Sequence, residues 1–69
     1  MSNKEKVAIS NIYERIQRIA GISQTYKILR AFDGVVTDEI QALENETAGI
    51  FAEIDVLKEE NERRKGGAK

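Results

Sequence analysis

Nine carboxylates and a single lysine occupy the stretch from Asp38 to Glu62, the densest concentration of reactive groups in the sequence. General acid or base work would require one of them to be buried or crowded enough to shift its pKa, and a short helical chain has no cleft to do that. Histidine and cysteine are both absent, so there is no imidazole to relay protons, no thiolate nucleophile and no nitrogen or sulfur ligand for zinc. Phosphate-binding loops, nucleophile elbows and Asp-rich calcium loops are also missing. Tyr13 and Tyr26 lie among basic residues and could stack on a nucleotide at a subunit interface, making the protein a nucleotide-binding sponge. At half-buried helix positions, tyrosines more often serve as core. These residues predict a protein that is not an enzyme, with no catalytic residue, no cofactor and no metal.

The remaining chemistry is binding. Arg15, Arg18, Lys27 and Arg30 form a basic set around RIAGIS, residues 18–23. That stretch resembles the centre of helix-turn-helix repressors, with Ala20, Gly21, Ile22 and Ser23 matching the turn. The resemblance implies a small DNA-binding regulator with a degenerate helix-turn-helix at 15–30. Three positions depart from the pattern: Gln17 replaces the usual alanine, and Lys27 and Arg30 put charges where the recognition helix should return to the core. The spacing of Ile22, Tyr26 and Leu29 instead continues one helix through Gly21. Nucleic acid is therefore not the expected partner.

The second half of the chain offers another surface. Ala42, Asn45, Gly49, Ala52 and Val56 recur at steps of three and four, a narrow stripe of mostly small residues that reads as a contact face. Beside it Glu39, Glu46, Glu53 and Glu60 repeat every seven residues. The predicted partner-binding set is Asn45, Glu46, Gly49, Ala52, Glu53, Val56, Glu59 and Glu60, directed at another protein with a basic surface, because complementary charge speeds encounter and rejects wrong partners.

The elements that must position these residues are two helices. Ser2-Asn3-Lys4-Glu5 is a capping box. Asp33-Gly34 predicts a left-handed glycine cap, with Val35 folding back near Leu29, and Thr37 followed by acids starts the next helix. From Ile40 the series Ile40, Leu43, Thr47, Ile50, Ile54, Leu57, Asn61 keeps a strict three-four spacing, the seam of a coiled coil. The expected fold is all-α: an antiparallel, coiled-coil-like helical hairpin with a helix over about 3–32, a turn at 33–37 and a helix over about 38–65. It forms one domain, 1–65, with a disordered tail at 66–69.

In helix 1 the stripe Ile9, Ile12, Ile16, Ile19 is offset from Ile22, Tyr26, Leu29, which predicts a rotation of the apolar face at Gly21. If the turn centres near Val35 and Val36, residue i lies level with 71 minus i. Gly21 then faces Gly49, where the two glycines could let the helices pinch together, and Glu53 lies near Arg18. The predicted core or dimer seam is Ile9, Ile12, Ile16, Ile19, Ile22, Tyr26, Leu29, Ile40, Leu43, Ile50, Ile54 and Leu57.

Sixty-nine residues bury only roughly 60% of the surface that the unfolded chain exposes. A homodimer is the expected remedy, because disulfides are unavailable. No apolar run approaches the roughly 18 residues of a membrane span, so the expected address is the cytoplasm, with no membrane partner. Residues 1–33 carry six basic and three acidic groups, and residues 34–69 five and nine. In size, helical-hairpin format and charge arrangement the chain resembles small phage-encoded inhibitors of host regulators, of the quorum-sensing anti-activator type. That resemblance involves no residue motif and transfers no contact residues. It implies a non-catalytic regulator in the host cytoplasm that occludes a transcriptional activator's DNA-binding domain or an ATPase. A structural scaffold is the remaining alternative.

Overall fold

The computed structural model describes residues 1–67, which form two α-helices and no strand: α1, Asn3–Ala31, and α2, Thr37–Gly67. They pack side by side along a hairpin 58 Å long and 15 by 12 Å in section. Among the described residues no helix is long and apolar enough to cross a membrane.

The capping box forms as the sequence predicts. The Glu5 N–H donates to Ser2 Oγ (3.2 Å), and the Ser2 N–H donates to Glu5 Oε1 (3.1 Å). At the other end of α1 the Gly34 N–H donates to the Leu29 carbonyl (2.7 Å) and the Asp33 N–H to the Arg30 carbonyl (3.1 Å), the paired bonds of a Schellman cap. The left-handed residue is Asp33, at φ 56, and not the expected Gly34. Gly34 suits the close approach: a Cβ there would stand 3.0 Å from the Leu29 carbonyl oxygen, tighter than ordinary contact. Val35 does not fold back but points into solvent, and Val36 is the residue buried under the turn.

Thr37 is already helical, and the Ile40 N–H donates to the Val36 carbonyl. At its far end α2 runs through Gly66 and Gly67, two residues into the stretch expected to be a disordered tail; Ala68 and Lys69 lie outside the described residues.

Gly21 does not turn the chain. α1 is one uninterrupted helix through it, so the turn required by a helix-turn-helix at 15–30 is absent. The apolar face does not rotate there either. The α1 residues that face α2 are Ala8, Ile12, Arg15, Ile19, Ile22, Tyr26 and Leu29, all buried or half-buried, and their steps of four and three never break. Arg15 takes the seam position between Ile12 and Ile19. Reading Ile16 there instead creates a false offset, since Ile9 and Ile16 stand on the flank, 48% and 52% exposed.

The register also differs from the expected one. Asn11 meets Glu53, and Arg18 meets Glu46, which places residue i opposite 64 minus i, one heptad away from 71 minus i. The reason lies in the turn. Residues 34–36 are not helical, and such a chain advances up to roughly 3.3 Å per residue against 1.5 Å in a helix. A given level of α2 is therefore reached at a lower residue number. Gly21 consequently does not face Gly49, and the proposed pinch does not form. An added Cβ at Gly21 would touch nothing within 4 Å.

Gly21→Ala should accordingly stabilise the chain by about 1 kcal/mol through helix propensity alone. For a domain this size, that raises the midpoint of a circular-dichroism melt by roughly 4–8 °C.

Candidate protein-binding surface

The α2 residues turned toward α1 are Glu39, Leu43, Glu46, Ile50, Glu53, Leu57 and Glu60, half-buried or buried at steps of four and three. Glutamate fills every second position of α2's side of the contact line. The row expected to form a free acidic face is thus the middle of the intramolecular interface. Glu46 is gripped by two arginines, with Arg15 Nη1 and Arg18 Nε each donating at 2.9 Å to a separate carboxylate oxygen. One turn pair below, Asn11 Nδ2 donates to Glu53 Oε1 (3.3 Å). At the open end Glu60 is only 6% exposed, accepting from Ser2 Oγ (2.8 Å) and from Arg63, while Arg64 reaches back to Glu5.

These arrangements act on protonation. Hydrogen bonding by Arg18, with Arg15 adding to it, holds the Glu46 carboxyl below its ordinary value of 4.5 against the opposing effect of partial burial. For Glu5 the Ser2 backbone N–H is the main lowering influence, followed by the charge of Arg64. Both groups ionise more readily in the folded chain than in the unfolded one, so both contribute stability above the ordinary carboxylate range.

Gly49 explains how Arg15 is admitted to the seam. A Cβ at Gly49 would overlap the Arg15 guanidinium, so the missing side chain is the space the arginine occupies. In the register one heptad away, Arg15 would meet Val56 instead and Glu46 would lose both arginines.

The eight predicted partner-binding residues therefore divide. Glu46, Gly49, Glu53 and Glu60 serve the hairpin itself, because a polar contact line needs its partners inside the fold. Val56 is half-buried in a groove of about 430 Å³ shared with Asn3, Lys4, Val7, Ala8, Asn11, Glu53 and Glu59. Asn45, Ala52 and Glu59 remain exposed, with Asn45 accepting from Gln41 Nε2 (3.2 Å). Among the described residues no ion pair holds Asp38, Glu39, Glu44, Asp55 or Glu59, and four of these (Asp38, Glu44, Asp55 and Glu59) are exposed on α2.

The surface that stands out is apolar. Starting from the contact lines and turning about 100° per residue, the groove containing Val7, Asn11 and Val56 and the groove containing Arg18, Gly21, Thr25 and Ala42 fall on one side of the hairpin. Ile9, Ile16, Ile40, Thr47 and Ile54 fall on the other. There they join the inner residues Ile12, Ile19, Leu43, Ile50 and Leu57 in a face contributed by both helices. Tyr13 and Phe51 flank it, and Phe51, 63% exposed, borders an open groove with Ile40, Leu43 and Thr47. The predicted coiled-coil seam of α2 is thus rotated away from α1: Leu43, Ile50 and Leu57 are shared with the hairpin, while Ile40, Thr47 and Asn61 are exposed.

Residue reasoning placed Ile9 through Ile19 and Ile40 through Leu57 in a seam without joining them on one open side. It also missed Ser2, Asn11 and Arg15 as partners of the glutamate row. Their signal was present: Arg15 completes the three-four spacing of Ile12, Ile19 and Ile22, and a seven-residue glutamate repeat needs a matching polar series.

No family model matches the chain, and no curated protein or solved structure is detectably similar to it.

Two outcomes follow. Gly49→Ala should gain less stability than Gly21→Ala, because the helix-propensity gain is offset by eviction of Arg15 from Glu46; adding Arg15→Ala should narrow the difference, as measured by thermal melts of the four variants. Lowering the pH from about 5 toward about 3 should progressively reduce the melting temperature as Glu46 and Glu5 become protonated through their lowered folded-state pKa values. In Glu46→Gln that slope should be shallower, with a lower plateau at neutral pH.

Proposed function

We propose that this chain is a non-catalytic protein-binding regulator whose hairpin offers two contacts with other polypeptides, an open apolar side and the exposed acids of α2. The observation that supports this most directly is the two-helix face around Ile9, Ile16, Ile40, Thr47 and Ile54. Contiguous exposed apolar surface of this extent marks a contact with another polypeptide. The exposed acids of α2 suit a second contact on a basic surface, where they would orient the approach and add ionic-strength dependence. In this reading the target is a host activator's DNA-binding domain or an ATPase, reached in the cytoplasm by a homodimer. Asp38, Glu44, Asp55 and Glu59 meet the target in place of the internally committed Glu46, Glu53 and Glu60. Against DNA as the target, Arg15 and Arg18, half of the basic set, are engaged by Glu46, which offsets one of their two charges.

A photo-reactive amino acid substituted at Ile16 or Ile54, in cells of native origin, should give discrete cross-linked polypeptide adducts. The same probe at Asn45 should give a different set, weakened by salt and by charge reversal at Asp38, Glu44, Asp55 and Glu59. An Ile16 or Ile54 probe that yields no adduct while the helices remain intact would remove the apolar side as a binding surface, and the proposal with it.

A further inference from the structure

The apolar side has two properties that narrow its occupant. First, the hairpin alone has almost no interior. Ala8, at 1% exposure, and Val36 are its only buried hydrophobic residues among those described, and α2 places glutamate at alternate positions of its contact line. So small an interior is marginal for a 69-residue chain without disulfides, and a cover that is present as the chain folds would offset the deficit. The polypeptide that meets this condition at every synthesis is the chain itself.

Second, the face is suited to meet its own copy. Its centre, represented by Ile12, Ile16, Leu43, Ile50 and Ile54, carries no charge, and the charged neighbours Lys6, Lys27, Arg30, Glu44 and Lys58 stand at its edges and ends. The two helices, 29 and 31 residues long, overlap in this register over residues 3–27 and 37–61, roughly 37 Å at 1.5 Å per residue. With helix axes about 8–10 Å apart and each helix about 10 Å across, the face is roughly 18–20 Å wide and offers on the order of 700 Å² per copy, close to the roughly 800 Å² that an interface of standard size buries on each partner. An isologous two-fold contact uses the same patch twice, so helices of similar length and an uncharged centre let one copy cover most of the other's apolar face.

Resting on the protein-binding reading above, we infer that the occupant of the apolar side is a second copy of this chain, so that two hairpins close face to face into a four-helix bundle. The glutamate line then stays inside each hairpin, and the aliphatic flank residues form the common core between the hairpins. Each copy's grooves around Val56 and Gly21 remain on the outside.

The purified full chain tests this directly. Light scattering coupled to size exclusion should show twice the chain mass, and Ile16→Lys with Ile54→Lys should abolish it, while Asn45→Lys on the opposite side leaves it intact. Because the double variant can simply unfold, a second measurement uses the absence of natural cysteine: Thr47→Cys should form a disulfide-linked dimer under mild oxidation, and Asn45→Cys should not. A folded monomer overturns the inference, as does a dimer that cross-links at Asn45→Cys and not at Thr47→Cys. If that monomer still gives heterologous adducts from Ile16 in cells, the protein-binding reading stands without self-association; if it gives none, both fail.

Discussion

The hairpin depends on the pairing of Glu46 with Arg15 and Arg18 across the middle of its contact line. Two long helices with a heptad spacing can slide past each other by seven residues and still match aliphatic against aliphatic. What distinguishes one register from the next is the polar series. With residue i opposite 64 minus i, Arg15 lies against Gly49 and Glu46 binds two guanidinium groups. One heptad away, Val56 would obstruct Arg15, and the carboxylate would sit half-buried without its partners. Leaving a partly buried charge unmatched costs more than the pair contributes, so the glutamate line acts mainly by penalising wrong registers.

That solution has a consequence for the rest of the surface. A contact line that devotes alternate positions of α2 to glutamate cannot also point the aliphatic seam at α1. The seam is displaced by a fraction of a turn, carrying Ile40, Thr47 and Ile54 to the same side as Ile9 and Ile16. Polar specificity inside the hairpin and apolar exposure outside it therefore arise from a single rotation of α2 about its axis. The hairpin is a half-finished core, with one layer closed by hydrogen bonds and ion pairs and the other left for association.

The turn contributes through small-scale sterics. Asp33 accepts the left-handed conformation, and Gly34 supplies the close approach to the Leu29 carbonyl. The non-helical residues that follow determine how far down α1 the second helix begins. Val36 plugs the inside of the turn, while Phe32 and Val35 are left in solvent. The open end is tied by groups that serve twice: Ser2 caps α1 and donates to Glu60, and Glu5 completes the capping box and receives Arg64.

The all-helical class, the two helices, the position of the turn and the capping box were legible in the residues because each depends on local physics: side-chain spacing, a hydroxyl three residues before a glutamate, and an Asp-Gly stop. The direction that each stripe faces was not local. Whether Arg15 or Ile16 enters the seam, whether Glu46 or Glu53 meets Arg18, and whether the glutamate row faces a partner or α1 all depend on the rotation and register of one helix against the other. A three-four pattern tolerates both alternatives. Only the tertiary fold decides, through the space at Gly49, the length of chain in the turn and the cost of leaving a half-buried carboxylate alone.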